Sequence, residues 1–162
     1  MRIAVCSDIH DNIWKLETLL ERVAGWEGLV FCGDFCAPFT LAQIAEGFRG
    51  PVHVVWGNND GDKWLLTKNV MGTGHVTLHG DLAEVEIGGR KIAVNHYPAI
   101  ARGLAGSGSY DAVFYGHDHT ARVERVGNSL LLNPGEVMGR FGRSTFGVYD
   151  PETNQGEILD VS

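Results

Sequence analysis

Five short apolar runs in this sequence are each followed at once by an Asp, Asn or His side chain. Runs of this length and composition predict buried β-strands. In open α/β sheets, ligands bind outside the carboxyl ends of the strands. We therefore expect the polar side chains that follow the strands to converge on one site, and their types indicate a metal site. They are Asp8, His10, Asp34, Asn58, His96, His117 and His119.

The size and composition of the chain predict one globular domain, residues 1–162. A chain of 162 residues is long enough to bury most of its apolar surface. Its contents of 44% hydrophobic and 20% charged residues are ordinary for a folded protein. The glycines are spread over turn positions, and no linker or repeat divides the chain.

Three observations predict a cytoplasmic protein that does not associate with membranes. No apolar stretch approaches the roughly 18–20 residues that a membrane-spanning helix needs. The N-terminus enters a strand at once and lacks a signal-type segment. The cysteines Cys6, Cys32 and Cys36 are too few for a disulfide framework, which fits a reducing compartment.

The formal net charge of −7 argues against stable binding to nucleic acid, which relies on a basic surface. It does not exclude an anionic substrate, because two bound divalent cations would focus positive charge at the site.

The first half of the chain alternates strand and helix patterns. Apolar positions with a helical period follow each of the first two strands. Asp11 or Asn12 can cap the first helix, Pro38 suits the first turn of the second, and a short helix is expected at about 62–68. The strands predicted here are 2–7, 28–33 and 52–56.

The second half is richer in strands, with Gly88-Gly89 suited to a hairpin turn and a short helix expected at about 100–104. The strands predicted here are 75–79, 82–87, 90–95, 111–115, 129–132, 144–149 and 156–161. The whole pattern predicts an α/β fold, α+β in some schemes, built as a four-layer αββα sandwich of two mixed β-sheets flanked by helices. The order of the strands does not follow from the pattern.

Two motifs have a spacing that suits metal binding. Asp8-Ile9-His10 and His117-Asp118-His119 place potential ligands at positions i and i+2, which point the same way on an extended chain. Asp34 supplies a carboxylate that can bridge two ions. Several imidazoles among oxygen donors disfavour magnesium or calcium alone and favour a pair of transition-metal ions, with manganese, iron, nickel and zinc as candidates.

The ordered set of motifs resembles that of the calcineurin-like metallophosphoesterases. The motifs that carry the resemblance are Asp8-Ile9-His10, Gly33-Asp34, Gly57-Asn58-Asn59-Asp60, His96 and Gly116-His117-Asp118-His119. The compact length, the Asn133-Pro134-Gly135 turn and the final hairpin are similar to those of the small single-domain prokaryotic phosphodiesterases in that superfamily. The resemblance therefore covers nearly the whole chain.

The resemblance implies two metal sites and a reaction. The first divalent ion would be bound by Asp8, His10, Asp34 and His119, and the second by Asp34, Asn58, His96 and His117. Manganese is favoured for both. A hydroxide bridging the ions would attack the phosphorus of a phosphodiester or phosphomonoester in line with the leaving oxygen. The expected catalytic residues are Asp34, Asn58, His96 and Asn12, the last at a position similar to one that contacts phosphate, with helix capping as an equal alternative.

Two positions depart from the family pattern. Many members carry His where this chain has Asn59, which cannot act as a general acid near neutral pH. After His96 the chain continues Tyr97-Pro98, so the wall beside this ligand is bulkier than usual. We expect the enzyme to work best on esters with good leaving groups.

The expected substrate is a small phosphate ester, with nucleotides and cyclic nucleotides included, and a homo-oligomer is plausible. One alternative is a catalytically silent scaffold on the same fold, as in the retromer subunit that resembles this family. Completeness of the ligand set favours an enzyme over the scaffold. A dinuclear hydrolase of non-phosphate esters is a third hypothesis.

Other polar and aromatic residues have structural interpretations beside functional ones. His53 is expected in the core or behind the ligands, and His75 and His79 at the surface. Asp11, Asp60 and Asp118 either orient imidazoles or, for Asp60, cap a helix. Arg140 and Arg143 either contact substrate phosphate or are solvated. The four tryptophans, Trp14, Trp26, Trp56 and Trp64, are expected to be packing residues rather than a platform on which bases stack.

Overall fold

The computed structural model describes residues Met1–Ser162 as eleven strands and four helices. The strands are β1 (Ile3–Cys6), β2 (Gly28–Phe31), β3 (Val52–Val54), β4 (Val76–Leu78), β5 (Leu82–Ile87), β6 (Arg90–Asn95), β7 (Ala112–Phe114), β8 (Arg122–Val126), β9 (Ser129–Asn133), β10 (Thr145–Asp150) and β11 (Gln155–Asp160). The helices are α1 (Ile13–Arg22), α2 (Pro38–Gly47), α3 (Lys63–Val70) and α4 (Pro98–Gly106).

The strands form two mixed sheets whose order the sequence pattern did not predict. The first sheet has the order β11-β10-β1-β2-β3-β4, in which β1 to β4 are parallel neighbours and the final hairpin pairs antiparallel. The second sheet has the order β5-β6-β7-β9-β8, with parallel pairs between two antiparallel edge pairs. Parallel pairing places the carboxyl ends of β1, β2 and β3 at one edge of the first sheet, and those of β6 and β7 at one edge of the second.

Three apolar clusters separate four layers. On β1, Ile3 and Val5 face the second sheet, whereas Ala4 and Cys6 face the cluster that contains the buried residues of α1, α2 and α3. A third cluster packs α4 against the outer face of the second sheet. The alternation along β1 follows from the period of two in a strand, which sends successive side chains to opposite faces. The predicted αββα sandwich of two mixed sheets is confirmed.

Helix α1 illustrates how the local sequence positions these layers. The Asn12 side chain accepts a hydrogen bond from the Lys15 N–H, a donor that the first helical turn leaves free. Leu16, Leu19 and Leu20 are buried against the first sheet, and each buried leucine contributes about 1.5–3 kcal/mol. The helix therefore fixes the loop that carries Asp8 and His10 to the edge of the sheet.

Two elements differ from the sequence prediction. Strand β8 was not predicted, because its charged residues obscure the apolar pattern; it lies at a sheet edge, where charge discourages pairing with other chains. Helix α4 is longer than 100–104, since Pro98 occupies its first turn and Ala101 and Ala105 both face the core. None of the helices has the length and apolar character that a membrane crossing requires.

Several expected placements were wrong. Trp14 and Trp64 do not pack in the core; they are 73% and 72% exposed, while Trp26 and Trp56 do pack against it. His75 is half-buried, and its ring nitrogens lie 2.9 Å and 3.0 Å from backbone carbonyls. His79 is also half-buried, and its Nε2 lies 3.0 Å from Nδ1 of His53.

Candidate metal centre

The seven predicted ligand residues lie in loops after β1, β2, β3, β6 and β7, and the fold brings them together. Strand ends of both sheets contribute, so the cluster spans the rim of the sandwich. Asp8, Asp34 and His96 are buried, whereas Asn58 and His117 are exposed. The cluster is therefore anchored in the interior and open to solvent on one side.

One group of ligand atoms surrounds the buried carboxylate of Asp8. Its Oδ1 lies 3.2 Å from Nε2 of His119 and 3.6 Å from Nε2 of His10, and the two Nε2 atoms are 3.4 Å apart. Oδ2 of Asp34 lies 3.7 Å from Nε2 of His10. These are the four residues expected to bind the first ion.

A second group of ligand atoms surrounds Asn58. Its Oδ1 lies 2.8 Å from Nδ1 of His117 and 3.1 Å from Nε2 of His96. The same Oδ2 of Asp34 that approaches the first group lies 3.4 Å from Nε2 of His96. Asp34 thus stands between the two groups, as a bridging carboxylate would.

The hydrogen bonds of the imidazoles decide which nitrogen can bind a cation. Nδ1 of His96 lies 2.7 Å from the Cys32 carbonyl, and Nδ1 of His119 lies 2.8 Å from a Glu136 carboxylate oxygen. Both partners only accept hydrogen bonds, so in a neutral ring Nδ1 carries the proton and Nε2 presents a lone pair. In both histidines that lone pair faces oxygen or nitrogen atoms of other candidate ligands.

Asp8 provides an independent test of whether the residues fit a metal ion. Its Oδ2 accepts a hydrogen bond from the His117 backbone N–H, whereas its Oδ1 is buried and accepts none. A buried unpaired carboxylate oxygen is costly unless a cation satisfies it. Two ligands about 2.1 Å from one ion lie roughly 3.0–3.4 Å apart at octahedral and tetrahedral angles. The separations in the two groups, 2.8–3.7 Å, bracket that range.

The backbone reaches this geometry by turns rather than by extended chain. Asp8 and His10 have φ values of 54° and 46°, and His117 and His119 have values of 76° and 57°. Non-glycine residues with positive φ are uncommon and concentrate at functional sites. The assumption that each i, i+2 pair lies on an extended strand was therefore wrong. Asp8 and His10 do meet in one group, whereas His117 and His119 lie in different groups.

Asp34 is held by residues that follow β3. Its Oδ1 accepts from the Asn59 backbone N–H and its Oδ2 from the Asn59 side-chain amide, each at 2.8 Å. Burial raises the pKa of Asp34, but the approach of the His96 ring and the hydrogen bonds from Asn59 outweigh that effect and hold the pKa well below its usual range. The carboxylate is therefore ionised at neutral pH.

Asp60 ties together the loops after β2 and β3. Its carboxylate accepts from the backbone N–H groups of Asp34, Cys36 and Gly57 at 2.7–3.0 Å. Asp60 makes no hydrogen bond to an imidazole. It does not cap α3, whose N-cap is Asp62. Burial raises the pKa of Asp60 despite these hydrogen bonds.

Nearby carboxylates raise the pKa of two candidate ligands, His10 and His96. The nearby Asp8 carboxylate, whose Oδ1 lies 3.6 Å from Nε2, raises the pKa of His10. Burial lowers the pKa of His96, but the attraction of the Asp34 carboxylate, whose Oδ2 lies 3.4 Å from Nε2, outweighs it, so that the pKa is raised overall. Carboxylates that attract protons in this way also attract metal cations.

Sequence reasoning missed Glu136 and Cys36. Glu136 is 1% exposed and holds His119, while Sγ of Cys36 lies 3.6 Å from Nδ1 of His10. Glu136 follows β9, the parallel neighbour of β7. Applied to that strand, the strand-end rule points to Asn133 and not to Glu136, which lies three positions further on.

The remaining candidates have mainly structural contacts. Asn12 caps α1, and its Nδ2 donates to the Met138 carbonyl. Asp11 accepts from the Ala37 N–H and the Thr40 hydroxyl at the start of α2. Other side chains bind elsewhere: Asp118 accepts from Asn133 and Thr120, Arg143 pairs with Asp160, and Arg140 lies over the ring of Phe141.

Comparison with known families decides the identity of the fold. The model of the calcineurin-like phosphoesterase superfamily domain matches residues 1–154. The chain belongs to this superfamily. The family resemblance of the motifs is thereby confirmed.

Proteins similar to this chain match it over nearly its full length. A protein of Methanocaldococcus jannaschii named phosphodiesterase MJ0936 is 30% identical over 96% of both chains. The structure of an archaeal phosphodiesterase matches with a TM-score of 0.91 and 28% identity over 99% of each chain. Vps29 of Entamoeba histolytica, solved with Zn²⁺, shares the fold with a TM-score of 0.68 at 18% identity over 100% of each chain.

Proposed function

We propose that this protein is a phosphodiesterase that works with two divalent transition-metal ions. The observation that carries the proposal is that two groups of unprotonated nitrogen and oxygen atoms surround one carboxylate, that of Asp34. His96 and His119 direct fixed Nε2 lone pairs at other acceptors, Asp8 has an unpaired buried oxygen, and Asp34 lies between the groups. The archaeal relative named as a phosphodiesterase supports the same activity.

Each side chain has a defined part in this proposal. The first ion would be bound by Asp8, His10, Asp34 and His119, and the second by Asp34, Asn58, His96 and His117. When bound, the ions would supply an activated water and neutralise the charge of the phosphoryl group. Asn59 and Asp60 keep Asp34 and its loop in place, and Asn12 would contact phosphate only through its second amide hydrogen.

Manganese is the proposed native ion, with iron, nickel and zinc as alternatives. The ligand set mixes imidazole nitrogens with carboxylate and amide oxygens. This mixture suits manganese better than a set of only sulfur or only nitrogen ligands would. Metal analysis of the purified protein tests this choice directly.

The proposed substrates are small phosphodiesters with good leaving groups. Asn59 uses its amide to hold Asp34, at a position from which many relatives could protonate the leaving oxygen. Similar rates on an activated aryl diester and an unactivated alkyl diester would contradict this selectivity. Residues 1–162 are proposed to act as one domain.

The deciding experiment combines metal analysis with an activity screen on phosphodiesters and phosphomonoesters. We expect EDTA to abolish hydrolysis and manganese to restore it. Asp34→Asn and His117→Ala should each lower kcat/KM by at least about 100-fold, since the ions supply most of the stabilisation of the transition state.

Glu86→Gln, which changes an exposed carboxylate beside the start of β6, at the end opposite His96, is the matched control. A folded protein that binds metal and hydrolyses no phosphate ester would refute the proposal and favour the scaffold alternative. Hydrolysis of carboxylic esters instead would favour the non-phosphate hydrolase.

A further inference from the structure

Phe141 is an exposed aromatic residue in direct contact with a candidate metal ligand. The residue is 72% exposed, and its ring packs edge-on against that of His119, with centroids 5.3 Å apart. Single exposed apolar residues are common on protein surfaces and by themselves indicate nothing. The position of this one is fixed by the same group that fixes the metal site.

Glu136 connects the Phe141 loop to the ligand. One carboxylate oxygen of Glu136 accepts from Nδ1 of His119. The other accepts from the backbone N–H groups of Phe141 and Gly142, at 2.6 Å and 2.9 Å. A buried carboxylate thus holds the imidazole and the aromatic residue in one fixed arrangement, which a solvated loop would not need.

The chemistry of the neighbourhood suits a planar group attached to a phosphate. The Arg140 guanidinium lies 5.3 Å from the centroid of the Phe141 ring and adds positive charge beside it. Aromatic side chains bind bases and aryl rings by stacking, and this contact tolerates different ring systems.

We propose that Phe141 is a specificity residue that stacks against the planar substituent, aryl or nucleobase, of a phosphate ester bound at the histidine–carboxylate cluster. This inference rests on the proposed function, because the phosphate must be held by the metal site. Glu136 is the residue that positions Phe141.

The test measures binding rather than turnover. Competitive inhibition constants are measured on the manganese-loaded protein for two matched pairs of ligands, with bis(p-nitrophenyl) phosphate as the assay substrate. Phenylphosphonate and methylphosphonate differ only by the aryl ring; adenosine 5′-monophosphate and ribose 5-phosphate differ essentially by the base.

Phe141→Ala should reduce the preference for the ring-bearing ligand about tenfold in at least one pair and leave the smaller ligand within about twofold. Phe141→Trp should keep the preference. Trp64→Ala, which removes an equally exposed aromatic residue on α3, should change nothing. The ligand pair whose preference falls shows whether Phe141 stacks against aryl groups, bases or both.

Unchanged preferences in both pairs, with full metal content, would overturn the role of Phe141 while hydrolysis stood. A loss of the preference in Tyr97→Ala, but not in Phe141→Ala, would also overturn the role of Phe141. The Tyr97 ring lies beside His96 and His117, at the other end of the cluster from His119. Absence of hydrolysis in the parent protein would instead refute the proposed function.

Discussion

Glu136 determines the proton position on His119 although it is not among the predicted ligands. Its carboxylate accepts from Nδ1 and leaves Nε2 free to face Asp8. Partners of this kind orient metal-binding imidazoles and raise their basicity, and their loss commonly weakens metal binding about 10–100-fold.

Glu136→Gln should therefore weaken manganese binding by about 10–100-fold. The amide has only one accepting oxygen, so it cannot serve both His119 and the N–H groups of the following loop. Titration calorimetry with the metal-free protein measures the change. Glu157→Gln, on the exposed strand β11, is the control, and an affinity equal to the parent's in Glu136→Gln would contradict the expectation.

The loops after β1 and β7 approach so closely that one position between them has no space for a side chain. A Cβ on Gly116 would clash with the side chains of Ser7 and Asp8. The close approach allows the His117 N–H to donate to Asp8, and this hydrogen bond leaves Oδ1 of Asp8 directed at the imidazoles. The absence of a side chain at Gly116 therefore allows the loops of the two sheets to come into contact beside Asp8.

Gly116→Ala should destabilise the fold by about 1–3 kcal/mol and weaken metal binding, because the added methyl group displaces Asp8 or its loop. Urea unfolding of the metal-free protein measures the first effect. The control is Gly103→Ala in the interior of α4, where an added Cβ meets nothing within 4 Å. That change should stabilise by about 0.5–1 kcal/mol. Equal stability of the two variants would contradict the argument.

His53 on β3 and His79 after β4 form a half-buried pair that makes stability depend on pH. Burial lowers the pKa of both rings, and His79 lowers that of His53 further. The unfolded chain, with histidine pKa values near about 6.5, therefore binds protons that the folded chain does not. The pair contributes stability above that pH, and the contribution is lost as the pH falls through the lowered pKa values.

The double variant His53→Gln/His79→Gln should lose less stability than the parent when the pH falls from about 7.5 to 5.5. Urea unfolding in EDTA at several pH values measures it. His10 and His96, whose raised pKa values act with the opposite sign, are common to both proteins and cancel in the comparison. Parallel stability curves would show that the pKa values of the pair are not lowered in the folded state.

At the scale of the whole molecule, we expect metal binding and folding to be coupled. Residues from five loops form the two groups of ligand atoms, so ions that bind there link the two sheets. The metal-free protein holds several carboxylates close together with a formal net charge of −7, and bound cations relieve that repulsion. Unfolded chain offers no comparable site, so binding stabilises the native state.

Manganese at about 100 times its dissociation constant should add about 2.7 kcal/mol for each site. For a chain of this size, one site corresponds to an increase in Tm of about 5–10 °C. Differential scanning calorimetry with manganese and with EDTA measures the shift. Asp34→Asn should show a much smaller shift, and an equal shift in both proteins would place the ions elsewhere.

The sequence by itself determined the elements that depend on local pattern. Apolar runs followed by Asp, Asn or His predicted the strand ends and the residue types of the site, and the αββα architecture and superfamily followed. The same approach failed for β8, whose charges mask its period, and for the exposed Trp14 and Trp64, whose apolar character does not reveal where they lie.

Only the tertiary structure decided the strand order, the position of Asp34 between the ligand groups, and the placement of Phe141. Each depends on contacts between distant parts of the chain: the Asp8–His117 hydrogen bond joins residues 109 positions apart. Glu136 likewise meets His119 only because β7 and β9 pair in the second sheet. Local sequence sets which side chains can bind a cation, whereas long-range packing sets which of their nitrogen and oxygen atoms lie close enough together to bind the same one.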